Sequence, residues 1–176
     1  MKEIAFDMSK SELEYNFTLE DEAATLKLGS DIAAIPASNG MIALFGDLGI
    51  GKTVFTRGFI HSFEGADEVV SPTFSLLQLY EFAKIKVYHY DLYRTNSPDE
   101  IIELGIFDAI NDGITIVEWP EKMGNYFPKD RLDIYLSQGL MEASREVKIV
   151  GHGKFWETQL KNCLLYTSPS PRDVEE

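Results

Sequence analysis

The segment Gly46-Asp47-Leu48-Gly49-Ile50-Gly51-Lys52-Thr53 sets glycines, a lysine and a hydroxyl side chain at the spacing G-x-x-x-x-G-K-[ST]. The glycines let the backbone curl so that successive N–H groups face one concavity. That nest, together with the N-terminus of a following helix, holds phosphate oxygens. Lys52 is placed to reach the β- and γ-phosphates of a nucleotide, and the Thr53 hydroxyl to ligate Mg²⁺. The motif follows an apolar run, Met41 to Phe45, and precedes a helical pattern. That context separates it from a chance glycine-containing turn.

A phosphate loop of this kind works with a second acid near the metal, usually at the end of a neighbouring strand. Two residues qualify. Glu118 follows Ile114-Thr115-Ile116-Val117, a short run rich in apolar β-branched residues that reads as a buried strand. Asp91 ends the segment His89-Tyr90-Asp91. Either carboxylate could bind Mg²⁺, directly or through water, and either could orient an attacking water. His89 reads as a packed or hydrogen-bonded histidine, and the tyrosines at 80, 88, 90 and 93 read as sheet packing. No Asn/Thr-Lys-x-Asp segment follows late in the chain, which favours ATP over GTP.

These residues need a scaffold. Glu14 to Leu19 reads as a strand. Leu19 to Ile35 reads as a helix with Ala23, Leu26, Ala33 and Ala34 on its apolar face and Thr18 or Asp21 as its cap. Asn39-Gly40 marks a turn before the strand at Met41, and a helix is expected from the loop to about Phe63. Thr73 to Phe82 and Ile85 to Tyr93 read as a hairpin. In its second strand Ile85, Val87, His89 and Asp91 share one face. Pro98 opens a short acidic helix after Ser97. Arg131 to Ser137 and Glu146 to Val150 read as late antiparallel strands, and Phe155 to Leu164 as a terminal helix. The expected fold is α/β: a single domain, residues 1–166, with a P-loop NTPase-like mixed sheet and flanking helices. The Ser- and Pro-rich stretch 167–176 has little to bury and is expected to be disordered and outside that domain.

Composition limits the function classes. The chain has 176 residues, 44% hydrophobic and 26% charged, which suits one soluble core. Its formal net charge of −13 argues against gripping a nucleic-acid backbone and favours a protein partner, or a small ligand whose charge a metal ion handles. One cysteine and three separated histidines provide neither an internal disulfide nor a zinc centre. No apolar run approaches the roughly 20 residues of a membrane span, and the first ten residues carry acids and no apolar signal core. A cytoplasmic protein is expected.

The motifs, taken in order, resemble one family. Asp21-Glu22-Ala23-Ala24-Thr25, the phosphate loop, Ser71-Pro72-Thr73-Phe74, Val87-Tyr88-His89-Tyr90-Asp91-Leu92-Tyr93-Arg94, Glu103-Leu104-Gly105 and Val117-Glu118-Trp119-Pro120-Glu121 are similar to the ordered signatures of the TsaE family, also called YjeE. The resemblance covers about Phe17 to Val150. It implies that Thr53 and Glu118 bind Mg²⁺ with Asp91 beside them, and that Lys52, Glu118 and Asp91 carry the catalysis. It implies a nucleotide site made by Glu22, Gly46, Gly49, Ile50, Gly51, Lys52, Thr53, Val54 and Arg145. Ser71, Pro72, Thr73 and Phe74 would form a switch that responds to the γ-phosphate, and Trp119 would pack nearby. Two positions depart from the family pattern: Ser144 stands where a glycine often precedes the arginine, and Ile50 where alanine is common. The Ile50 side chain is expected to matter little, because the loop works through its backbone.

The resemblance also implies an activity. The family is similar to an ATPase that turns ATP into ADP, slowly when alone and faster with its partners. It joins TsaD and TsaB, which transfer a threonylcarbamoyl group to the tRNA adenosine beside the anticodon, so it meets tRNA only indirectly. Two other classes use the same loop. A small-molecule kinase needs an acceptor pocket and an arginine-bearing lid, and no basic lid segment is visible. A non-hydrolysing nucleotide sensor has no need of both Asp91 and Glu118.

Overall fold

Met41 to Leu44 and Ile114 to Glu118 are buried at every position, the mark of central strands covered on both faces. A computed structural model of the chain describes residues 12–66, 68–72 and 75–167. Its elements, in order, are β1 (Glu12–Leu19), α1 (Glu22–Ala33), β2 (Gly40–Phe45), α2 (Lys52–His61), β3 (Leu77–Glu81), β4 (Lys86–Asp91), α3 (Pro98–Glu103), α4 (Ile106–Asp112), β5 (Ile114–Glu118), a 3₁₀ segment (Pro120–Tyr126), β6 (Arg131–Gln138), β7 (Arg145–His152) and α5 (Lys154–Thr167). The strands form one mixed sheet in the order β1-β7-β6-β2-β5-β4-β3. β2 pairs in parallel with β5 and with β6, and β5 in parallel with β4. The outer pairings of β1 with β7, β6 with β7, and β3 with β4 are antiparallel.

Strand alternation sorts the core into two layers. Ile42, Leu44, Val87 and Ile116 pack with Leu28, Ile32, Phe55 and Trp156 from α1, α2 and α5. Met41, Ala43, Tyr90 and Val117 pack with Ile101, Ile106, Ala109 and Met123 from α3, α4 and the 3₁₀ segment. The α/β architecture and the mixed sheet are therefore as the sequence indicates. Among the described residues no helix is long and apolar enough to cross a membrane.

Several local expectations change. α1 starts at Glu22, with the Asp21 carboxylate accepting the Ala24 N–H at 2.8 Å as its cap. Its buried face is Thr25, Leu28, Gly29 and Ile32; Ala23 and Ala34 are exposed. The hairpin strands are shorter than expected and begin at Leu77 and Lys86. α4 is an additional helix, opened by Gly105 at φ 74°. Thr73 and Phe74 lie outside the described residues. α5 runs through Thr167, one residue into the stretch expected to be disordered, and the rest of that stretch lies outside the described residues.

Two glycines explain how tightly α1 and α2 meet. A Cβ on Gly29 would stand 2.1 Å from the Phe55 carbonyl oxygen, and one on Gly58 would stand 2.1 Å from the Leu26 carbonyl oxygen. Each helix thus presses backbone against backbone at the other's glycine. Glycine weakens an isolated helix by about 1 kcal/mol relative to alanine, so its presence here reflects the close approach. Gly58→Ala should therefore lower stability by about 1–3 kcal/mol in urea unfolding, despite alanine's better helix propensity. A stabilised variant would show that the helices can part at no cost.

Candidate functional site

The site is built at the carboxyl ends of the parallel strands. β2 ends at Phe45 and the chain enters the loop 46–51 before α2 begins at Lys52. Gly49 and Gly51 take φ of 76° and 125°, values that side-chain-bearing residues rarely adopt. The Ile50 N–H donates to the Asp47 carbonyl at 3.2 Å, which closes the turn. The first N–H groups of the ten-residue α2 have no partners within the helix and open onto this loop.

β5 lies directly beside β2, with Leu44 in register with Glu118. β4 lies on the far side of β5, with Asp91 in register with Glu118. Parallel pairing thus brings the loop and both acids to one edge of the sheet. Glu118 is the nearer acid, one strand from the loop, and Asp91 is two strands away. Both are buried. Asp91 Oδ1 accepts the Tyr93 N–H at 3.0 Å, and Glu118 Oε2 lies 2.8 Å from His89 Nε2.

Lys52 is only 5% exposed. Its Nζ donates to the Gly46 carbonyl at 2.5 Å and lies 4.0 Å from the centroid of the Trp119 ring. Burial pushes its ammonium below the ordinary lysine value, and the fields of Glu118, Asp91, Glu121 and Asp47 oppose that push without cancelling it. Trp119 takes a left-handed backbone at φ 57°. A non-glycine residue in that region costs of order 1 kcal/mol and is held there by its surroundings. Its ring also packs against Tyr93 at 4.8 Å.

Behind the loop, Glu22, Gly49, Ile50, Gly51, Val54 and Arg145 surround a cavity of about 180 Å³. Arg145 Nε donates to the Ile50 carbonyl at 2.8 Å, and its Nη1 donates to the carbonyls of Glu142 and Ser144. It therefore ties the β6–β7 turn to the phosphate loop. Ser144 supports that turn where a glycine was anticipated, with its hydroxyl accepting the Met141 N–H at 3.0 Å. Thr25 and Ala143 also line the cavity. The sequence alone assigns neither to the site, although Thr25 ends the Asp21 to Thr25 motif and lies three residues beyond Glu22 on the same helical face. A second depression, about 150 Å³, adjoins through Gly49, Gly51 and Val54 and adds Lys52, Thr53 and Trp119. Ile50 is less neutral than expected, because its side chain packs against the core.

Of the switch segment, Ser71 is exposed and Pro72 buried. The Pro72 carbonyl accepts the Leu76 N–H at 2.7 Å, and the Leu76 carbonyl accepts the Asp91 N–H at 3.0 Å. The segment is thus anchored to the strand end that carries Asp91. Thr53, Glu118 and Asp91 offer only oxygen donors. Such a set suits Mg²⁺, which takes one or two protein groups and completes its shell with water and phosphate oxygens. Among the described residues no group of three or more His, Cys, Asp or Glu side chains could hold a metal ion by itself.

Residues 19–147 match the family model "Threonylcarbamoyl adenosine biosynthesis protein TsaE". The chain is 46% identical over 105 residues to a Rickettsia conorii protein named tRNA threonylcarbamoyladenosine biosynthesis protein TsaE, a match covering 59% of this chain and 60% of that one. The match thus spans about three fifths of that relative's length. A Haemophilus influenzae protein of the same name is 34% identical over 138 residues, covering 75% and 86%. In fold, the chain is similar to the crystal structure of Bacillus subtilis YdiB, with a TM-score of 0.71 and 24% identity over 90% of this chain and 98% of that one.

The contact between Lys52 and Trp119 is open to a direct test. Trp156, the other tryptophan, is buried in the core and supplies a constant background. Lys52→Met should change the tryptophan emission of the free protein while cooperative unfolding persists. An unchanged spectrum would show that the ammonium does not sit over the indole.

Proposed function

The chain belongs to the TsaE family, whose members act in threonylcarbamoyladenosine biosynthesis, and we propose that it is a magnesium-dependent P-loop ATPase that binds TsaD and TsaB homologues and drives their cycle. The observation that carries this reading is the convergence of the loop leading to Lys52 with Glu118 and Asp91 at one edge of adjacent parallel strands, where the field of both carboxylates reaches the buried ammonium. A desolvated ammonium beside ionisable carboxylates suits a site that exchanges its own charges for those of a bound triphosphate.

ATP enters with its phosphates on the loop N–H groups and the α2 N-terminus. Lys52 turns from the Gly46 carbonyl to the β- and γ-phosphate oxygens. Glu22 and Arg145 flank the nucleotide at the cavity behind the loop. Thr53 and Glu118, with Asp91 beside them, would hold Mg²⁺, which when bound neutralises phosphate charge. Glu118, one strand from the loop, orients the attacking water, and Asp91 supports it. Ser71 to Phe74 respond to the γ-phosphate, and their state is read by the partner proteins. The acidic charge of −13 suits a subunit that meets proteins and leaves tRNA to them.

Glu118→Gln keeps the size of the side chain and removes its charge. ATP binding should persist through the loop, with the gain in affinity brought by Mg²⁺ reduced, while turnover measured with TsaD and TsaB homologues present should fall by two or more orders of magnitude, roughly 3 kcal/mol of transition-state stabilisation. Near-normal turnover in this variant, with loss in Asp91→Asn, would pass the principal role to Asp91. The γ-phosphate should appear as free phosphate; its transfer to a metabolite would make the protein a kinase. Retention of the TsaD and TsaB homologues on the immobilised chain should depend on ATP. Equal retention with and without nucleotide would remove the coupling from the proposal.

A further inference from the structure

His89 stands apart from the residues used so far. It has no exposed surface, and it shares the inward face of β4 with Val87 and Asp91. In the parallel register His89 is level with Ile116, and Glu118 lies two residues further along β5 on the same face. The imidazole reaches forward across that diagonal, and its Nε2 lies 2.8 Å from Glu118 Oε2, with side-chain exposures of 0% and 6%. Among the described residues its Nδ1 has no hydrogen-bond partner.

That unpartnered nitrogen decides the tautomer. A proton on Nδ1 would bury an N–H donor with nothing to receive it, at a cost of about 1–3 kcal/mol. A proton on Nε2 donates to the carboxylate and leaves only a bare lone pair at Nδ1. A buried carboxylate is in turn stable only where donors meet it. The geometry of the pair thus suits an Nε2–H donated to Oε2. We propose that His89 is the positioning residue for Glu118: its Nε2–H holds Oε2 and so fixes the carboxylate plane, leaving Oε1 for the phosphate-loop side. The inference rests on the reading of Glu118 as the acid of the ATP site. His89 touches neither nucleotide nor water, and acts through Glu118 alone.

The test uses the full chain, a non-hydrolysable ATP analogue and calorimetry with Mg²⁺ or with EDTA. His89→Phe keeps the ring and removes the donor. The gain in analogue affinity brought by Mg²⁺ should shrink by roughly tenfold, as expected for loss of a group that orients a metal ligand, while affinity in EDTA stays unchanged. His89→Gln restores an N–H donor near the Nε2 position and should recover most of the loss. In a Glu118→Gln background, His89→Phe should add less than about a twofold effect, because it has nothing left to position.

Equal behaviour of the Phe and Gln variants would overturn the inference, and so would full additivity with Glu118→Gln. Should His89→Phe fail to fold, His89→Asn against His89→Gln asks the same question. The Asn amide ends short of the Nε2 position, so equality between these two would overturn the inference. Failure of the functional reading shows in the parent protein, as analogue affinity indifferent to Mg²⁺ and no ATP turnover with partners. That result overturns both. A responsive parent with an indifferent His89 overturns only the positioning role.

Discussion

Parallel pairing of β2, β5 and β4 is the constraint on which the site depends. Parallel strands end at the same edge, so groups that follow their last residues converge without any loop having to carry them. Leu44, Glu118 and Asp91 share one level of the sheet. The phosphate loop begins two residues beyond that level, and the two acids lie on it. A one-residue slip of β5 against its neighbours would turn Glu118 to the opposite face, among Met41, Ala43 and Tyr90. Glu118 itself opposes such a slip, because its carboxylate would leave His89 for an apolar layer.

A second constraint fixes what packs over that edge. α1 and α2 meet backbone to backbone at Gly29 and Gly58, which carries Glu22, at the start of α1, to the rear of the phosphate loop. α2 is held below by Phe55 and Phe59 in the core. Its first residue, Lys52, therefore enters a space already closed by Trp119 and bordered by carboxylates. The resulting desolvation disfavours the charged ammonium, and the acids offset this only in part. Burial of the ammonium is thus a local cost that the neighbouring carboxylates reduce. The left-handed backbone of Trp119 adds to it.

The legible part of this arrangement was the part written in local pattern. The loop announces itself through its glycine spacing, and the buried strands through Met41 to Phe45 and Ile114 to Val117. The cap Asp21 and the helix start at Ser97-Pro98 follow from side-chain chemistry that acts within four residues. What depended on another element was harder to read. Ala23 and Ala34 look apolar yet face water, whereas Thr25 and Gly29 turn inward because α2 approaches there. No periodicity marks a glycine chosen for the backbone of a different helix. α4 escaped because its seven residues include three polar ones. His89 could be placed on the correct face by alternation, but its partner lies two residues up a neighbouring strand, which only the register reveals.

The loop's surroundings also show why its side chains and its backbone answer to different demands. Lys52 donates to the Gly46 carbonyl, and Arg145 to the Ile50 carbonyl. Both contacts grip backbone oxygens, so neither side chain occupies an N–H group of the loop. Ile50 anchors the same turn from below by packing on the core, a task that any apolar side chain of fitting size performs. Arg145 adds a longer connection, since its other nitrogen holds the turn between β6 and β7. A displacement of the loop would therefore be felt at that turn. At the other end of the site the Asp91 N–H is tied through Leu76 to Pro72, so the two ends are linked to different surfaces by hydrogen bonds to main-chain atoms.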